Sequence, residues 1–312
     1  MGFIEQTRWQ MQFYARLPVL AWTVCVREGK VVHSVLEDTP MRRRVFIVPF
    51  LAADLLLAAG GSASAQTSSV ERLYVLDCGE AHAPDQSRWS PGVNVGKPID
   101  ISDNCYLIHH KQGWMLWDTG IPDAVAEMRE PAPGPIPWRR GKTLAFQLAS
   151  IGVQPADIKY VGISHTHADH VGNVDLFPTA TVLIQRAEYE WAFASDKKPF
   201  SAAHSSQQLD GDHDVFGDKS VMIISTPGHT PGHESLMVDL PKTGWLLLSG
   251  DVAHFQDNFD NRRVPAGNTD KDKSVTSMQR VADLVAKYHA QFWINHDAPQ
   301  TARTRHAPEF YE

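Results

Sequence analysis

Residues 164–173 read SHTHADHVGN, which places His165, His167, Asp169 and His170 within six positions. Imidazole and carboxylate groups at this density point to metal binding, and four donors are too many for one open catalytic ion. His165 and His167 are two apart. On an extended segment both side chains leave on the same side and can share an ion. Asp169 and His170 are adjacent, so they cannot join that pair on one small ion without strain, but they can serve a second ion nearby. Three later stretches add donors. His229 lies in TPGHTPGH (226–233), where the Pro-Gly turn leaves the imidazole little backbone freedom. Asp251 ends LLLSGD (246–251), and its carboxylate could bridge two ions. His296 lies in WINHD (293–297). Nitrogen and oxygen donors without thiolate suit zinc and also allow cobalt, manganese or iron. His233 repeats the Pro-Gly-His turn, but one turn cannot easily aim both His229 and His233 at one site, so His233 reads as a packed residue or a support for a ligand. The isolated histidines 82, 109, 110, 204, 213, 289 and 306 read as surface or satisfied core residues.

The donors sit where strands are expected to end. RLYVLDCG (72–79) reads as a strand, and NCYLIHHKQGWMLWDTG (104–120) as a hairpin turning at Lys111-Gln112-Gly113. Residues 121–141 are rich in Pro, Gly and charge and read as a loop or lid. TLAFQLASIG (143–152) reads as a short helix with a Gly stop. IKYVGIS (158–164) is an apolar strand that feeds the ligand motif. TVLIQ (181–185) reads as a strand, RAEYEWAF (186–193) as a helix and 195–214 as a long polar loop. VMIIST, ESLMVDL and GWLLLS are three further strands. Helical spacing of apolar residues over 272–288 predicts a helix, and FWIN (292–295) a last strand. Strands and helices in both halves predict an α/β fold of two mixed sheets with helices outside, in one catalytic domain over 66–312.

HTHADH, TPGHTPGH, SGD and NHD, in that order, resemble the metallo-β-lactamase superfamily, over nearly all of 70–312. Within it the chain is most similar to the N-acyl homoserine lactonases. The shared features are the NCYLIHH…GWMLWDTGIPDA hairpin, QRAEYEWAF and the DNFDN…PAG loop. The resemblance implies an αβ/βα sandwich with two zinc ions. It implies His165, His167 and His229 on the first ion, Asp169, His170 and His296 on the second, Asp251 bridging, and Asp118 steadying a ligand. The implied reaction is hydrolysis of a cyclic ester by a hydroxide that two ions share, its pKa lowered to near neutrality, with Asp169 delivering a proton to the leaving oxygen. No GxSxG elbow offers a competing nucleophile. One departure stands out. The lactonases commonly carry tyrosine three residues after the bridging Asp, hydrogen-bonded to the substrate carbonyl; here that residue is His254. Its imidazole N–H could do the same, or His254 could only line the pocket. Ala168 is small where relatives often carry an aromatic, which makes the acyl side of the pocket roomier. The competing readings are a same-fold hydrolase of another lactone, ester or thioester, and a di-iron redox protein. The glyoxalase-like type would need a helical substrate domain after His296, where 16 residues remain; penicillin hydrolysis would need Cys in place of Asp251. The redox type would need Glu in place of His167 and a flavin-binding domain.

The chain has 312 residues and a net charge of −7, which argues against a basic nucleic-acid face. The partner expected is a small lactone; a homodimer is left open. From Met41, MRRRVFIVPFLAADLLLAAGGSASAQ has the layout of a secretory signal peptide cleaved after Ala65, with Asp54 interrupting the apolar run. The run is short for a membrane span, and an N-terminal anchor is the alternative. Residues 1–40 then read as a mis-assigned upstream extension. The mature chain is expected to be periplasmic or secreted, without a stable membrane span. Cys78 and Cys105, on neighbouring predicted strands, form either a disulfide or two buried thiols.

Overall fold

The computed structural model describes residues 25–27, 30–32 and 68–312. Strands β1 (Cys25–Arg27) and β2 (Lys30–Val32) form an antiparallel ladder within a separate unit, Met1–Ser62. The rest of the expected extension, the expected signal peptide and its cleavage site lie outside the described residues.

The second unit contains two sheets. Strands β3 (Val70–Ala83), β4 (Ile99–His110), β5 (Gly113–Trp117), β6 (Trp138–Arg139), β7 (Ile158–Gly162), β8 (Thr181–Gln185) and β9 (Ser206–Leu209) form the first, ordered β6-β3-β4-β5-β7-β8-β9. Strands β10 (His213–Asp214), β11 (Val221–Ser225), β12 (Glu234–Leu240), β13 (Gly244–Leu248) and β14 (Gln291–Trp293) form the second in sequence order. Side chains on a strand alternate between its two faces, and the packing follows that alternation. Val75, Ile108 and Met115 of the first sheet meet Ile223, Leu236 and Leu248 of the second in the central core. On the outer faces, Leu76, Leu107 and Leu116 pack with Leu144 and Leu148 of α1 (Leu144–Ser150). Ile224, Met237 and Leu247 pack with the Met278 and Val281 face of the long helix spanning Lys271–Tyr288. The result is the expected α/β sandwich with outer helices. Among the described residues no helix is long and apolar enough to cross a membrane.

Residues 195–214 are not the continuous loop expected from the sequence. β9 extends the first sheet in parallel beside β8, and β10 pairs antiparallel with β11. The sequence SQQL of β9 lacks apolar alternation because an edge strand has one side open to water, so its pairing leaves little periodic trace.

The hairpin β3–β4 carries a register shift between Asp77 and Gly79, and Cys78 is the extra residue. Cys78 and Cys105 are joined in a disulfide with a Cα separation of 5.8 Å, both wholly buried. A crosslink closing a loop of 27 residues reduces the entropy of the unfolded chain, a contribution of about 3.5 kcal/mol.

β5, β7, β11, β13 and β14 all end on one side of the sandwich: β5 pairs parallel with β7, β13 parallel with β14, and β11 is two antiparallel steps from β13. The expected ligand motifs follow four of these ends and the DTG follows the fifth, which brings them to one edge.

Candidate metal centre

The backbone around the ligand motif changes form at His167. This residue is extended (φ −68°, ψ 154°) and begins α2 (Ala168–Val171). His165 and His167 therefore leave an extended segment, whereas Asp169 and His170 leave a helical turn. That change divides four crowded donors between two locations.

At the first location His167 Nδ1 lies 2.9 Å from His165 Nε2 and 3.0 Å from His229 Nε2. The ligating atoms of His165, His167, His229 and Asp251 all lie within 4.8 Å of one another, as do those of Asp169, His170 and His296 at the second. Asp251 stands between the two groups and its oxygens divide. Oδ2 lies 3.3 Å from His229 Nε2 and 3.7 Å from His165 Nε2. Oδ1 lies 3.1 Å from His296 Nε2 and 3.4 Å from His170 Nε2. Asp169 is looser, 3.9 Å from His296 Nε2.

The remote nitrogens fix how the rings point. His170 Nδ1 donates to Asp118 Oδ2 (2.9 Å), His296 Nδ1 to the Ser102 carbonyl (2.6 Å) and His229 Nδ1 to Asn268 Oδ1 (2.9 Å). Each leaves the Nε2 lone pair aimed inward, the usual support of a metal-binding histidine. His165 Nδ1 lies 3.1 Å from Ser164 Oγ. Asp118 has a left-handed backbone (φ 56°), and its Oδ1 also accepts the Ser164 N–H at 2.7 Å. His233 does not join the ligands. Its Nδ1 bonds the Thr226 carbonyl (3.0 Å) and its Nε2 accepts the Asp251 N–H (2.7 Å), so it sets the backbone of the bridging residue. Gly250, before Asp251, has φ +52° and would bring a Cβ to 2.7 Å from that imidazole, so only glycine fits there.

These residues fit a pair of metal ions. Burial keeps His165 and His229 well below the ordinary imidazole range, in the neutral, ligating form. At His170, by contrast, Asp251 with Asp118 outweighs burial and raises it, and Asp251 with Asp169 raises His296 to about 9, protons that a bound cation would displace. Burial alone would raise the Asp251 carboxyl, but His296, His254, His170 and His165 outweigh it and hold it well below the usual carboxylate range. His170 Nε2 and Asp251 Oδ1 are buried without a hydrogen-bond partner among the described residues, and both face the second location. Buried polar atoms of this kind are costly unless something satisfies them. The cluster is a dinuclear site of histidine nitrogen and carboxylate oxygen.

A cleft of about 580 Å³ opens over the cluster, within the range of small-molecule sites. His167, Asp169, His229, Asp251, His254 and His296 line it together with apolar residues that include Ile101, Ile121, Ile136 and Trp138. His254 Nε2 lies 3.1 Å from Asp251 Oδ2, and its ring stacks near His296 with centroids 5.4 Å apart. Burial pushes the His254 imidazole down, and its Nδ1 has no partner among the described residues.

Several residues that shape the site have no role assigned from the sequence. Glu188 lies within QRAEYEWAF and Asn268 follows the PAG of the DNFDN…PAG loop, but neither carries a local mark of its function. Asn295 Nδ2 donates to the buried Asp103 (3.1 Å), which also accepts the Ile121 N–H (3.2 Å). Burial pushes the Asp103 carboxyl up to about 7. The proline-rich segment over the cleft is anchored by Arg140, buried and 3.0 Å from Asp123.

Residues 100–289 match the family model of the metallo-beta-lactamase superfamily. The chain is 31% identical over 262 residues to the N-acyl homoserine lactonase AttM of Azorhizobium caulinodans, covering 77% of this chain and 98% of that protein. It is 30% identical over 254 residues to an N-acyl homoserine lactonase of a Bacillus species, covering 78% and 99%. Among solved structures it resembles a quorum-quenching N-acyl homoserine lactone hydrolase, with a TM-score of 0.69 and 28% identity over 78% of this chain and 98% of that one.

Proposed function

Because the chain belongs to the metallo-β-lactamase superfamily, we propose that it is a metal-dependent hydrolase that opens the lactone ring of N-acyl homoserine lactones. The observation that carries this reading is the division of the Asp251 oxygens between two imidazole groups at the floor of an apolar cleft. His165, His167, His229 and Asp251 would hold one ion; Asp169, His170, His296 and Asp251 would hold the other. An all-nitrogen and oxygen donor set suits zinc. Two such ions, when bound, supply a nucleophile from water at neutral pH and offset negative charge on the ester oxygens.

The chain's own residues do the rest. Ile101, Ile121, Ile136 and Trp138 receive the acyl group and keep bulk water from the carbonyl. Ala168 leaves space beside Asp169 on the same cleft. Asp169, less buried than the other carboxylate, would take up the proton that the attacking water gives up and pass it to the departing ring oxygen. His254 donates a hydrogen bond to a substrate oxygen, supported by its place on the cleft wall beside the bridging carboxylate. The buried disulfide supports an oxidising compartment, in keeping with export directed by the segment from Met41.

The test is a panel of acyl homoserine lactones from butyryl to dodecanoyl, with plain γ-lactones and aryl esters, assayed by mass of the ring-opened acid. Acyl homoserine lactones are expected to open. A strong chelator should abolish turnover and added zinc restore it. Protein carrying two ions that opens none of them would refute the lactonase reading. His254→Phe should lower kcat by on the order of a hundredfold, the effect of removing one oxyanion donor, with both ions retained. Unchanged kcat reduces His254 to a wall of the cleft.

A further inference from the structure

We propose that Glu188 positions the first-ion half of the centre, acting through Thr166 and Gly232. Glu188 lies in the first turn of α3 (Arg186–Phe193) and is wholly buried. Its Oε1 accepts the Thr166 N–H at 2.8 Å and the Thr166 hydroxyl at 2.7 Å. Its Oε2 accepts the Gly232 N–H at 3.0 Å. Thr166 stands between His165 and His167; Gly232 lies three residues after His229. One carboxylate therefore joins the two loops that supply all three imidazoles of that half. Hydrogen bonds to an ionised acceptor are shorter and stronger than neutral ones, and the start of a helix favours a negative charge.

The contact also accounts for the second Pro-Gly-His of TPGHTPGH. The first supplies the ligand His229. The second supplies Gly232 and His233, one for Glu188 and the other for the Asp251 backbone. A Cβ at Gly232 would lie 2.3 Å from the Glu188 nitrogen, so the approach requires glycine. The other half has its own buried acid. Asp118 holds His170 and the Ser164 N–H, and shares no hydrogen-bond partner with Glu188. The halves are thus braced by different carboxylates, although Asp251 and the Ser164 hydroxyl touch both, so loss of Glu188 should fall mainly on one affinity. Glu188 does not line the cleft, so it is a positioning residue.

The experiment needs no substrate. Metal-free protein is titrated with zinc alone against a competing chelator to read two dissociation constants, and with cobalt to read the absorption of the three-imidazole half. Thermal midpoints of the metal-free proteins are measured alongside. Glu188→Gln has one acceptor oxygen where the carboxylate has two. It is expected to weaken one zinc constant by ten- to a hundredfold, the range for losing a residue that orients a ligand, and to shift the cobalt spectrum. Asp118→Asn should weaken the other constant. Thr166→Val removes a single donor and should move the same constant as Glu188→Gln by several-fold; it carries the test if Glu188→Gln does not fold. Wild-type constants in the Glu188 or Thr166 variant overturn the proposal. So does an equal weakening of both constants, or a lower midpoint with both constants intact, which would make Glu188 a packing residue.

Discussion

Asp251→Ala should leave a protein that retains at most one metal ion and has lost lactone hydrolysis. The carboxylate faces both halves, with Oδ2 toward His229 and His165 and Oδ1 toward His296 and His170. Its removal deletes a donor from each half at once and brings uncompensated imidazoles together, since His170 and His165 have ring centroids only 4.1 Å apart. The fall in kcat/KM should exceed the ten- to hundredfold cost of losing a residue that merely orients a ligand. Asp251→Asn is the informative companion. Its amide keeps one oxygen and turns an N–H₂ toward the other half, so one ion should remain and the second should not. Elemental analysis of dialysed protein reads both outcomes. Two ions in Asp251→Ala would show that the carboxylate does not hold the centre together.

The largest effect on stability is expected away from the ligands. The Arg140 side chain is fully buried, 3.0 Å from Asp123 Oδ1. It also donates to the Ile121 and Lys142 carbonyls. Asp123 has a second task, accepting the Leu144 N–H at 2.7 Å where α1 begins. Asp123→Ala leaves a guanidinium buried without its counter-charge, an arrangement that costs about 3–5 kcal/mol. Arg140→Met should cost less, because Asp123 is 18% exposed and can turn to water. The double variant should recover part of the Asp123→Ala loss. Urea unfolding of the three proteins checks the order, and a larger cost for Arg140→Met would refute it. The same ion pair anchors the segment that roofs the cleft, so Asp123→Ala should also raise KM for lactones.

Much of this molecule was legible along the chain. Short apolar runs located β7, β8, β11, β12 and β13 almost to the residue, and helical spacing located the helix from Lys271 to Tyr288. The edge strand β9 was not legible, because its polar SQQL faces water and its only signal is its partner. The seven donors were legible because each sits in a short motif at a strand end, where residue type alone declares the chemistry. Glu188 was not. QRAEYEWAF read as a helix and as a feature shared with a known family, but the function of Glu188 depends on Thr166 and Gly232, 22 and 44 residues away. Asp123 and Arg140 likewise read as charges in a polar loop until folding removed one of them from water.

The sequence alone determined the donor types, their order and the need for more than one ion, since ligand chemistry belongs to side chains and their near neighbours. Spacing also divided the four donors of residues 164–173, and resemblance to a known family assigned His229, Asp251 and His296 among the ions. Only the tertiary structure decided which oxygen of Asp251 faces which imidazoles, whether Cys78 and Cys105 join, and which buried acids hold the two halves. Those outcomes depend on distances between segments far apart in the chain. Such distances are set by how two sheets pack through their alternating apolar faces, and no local pattern encodes them.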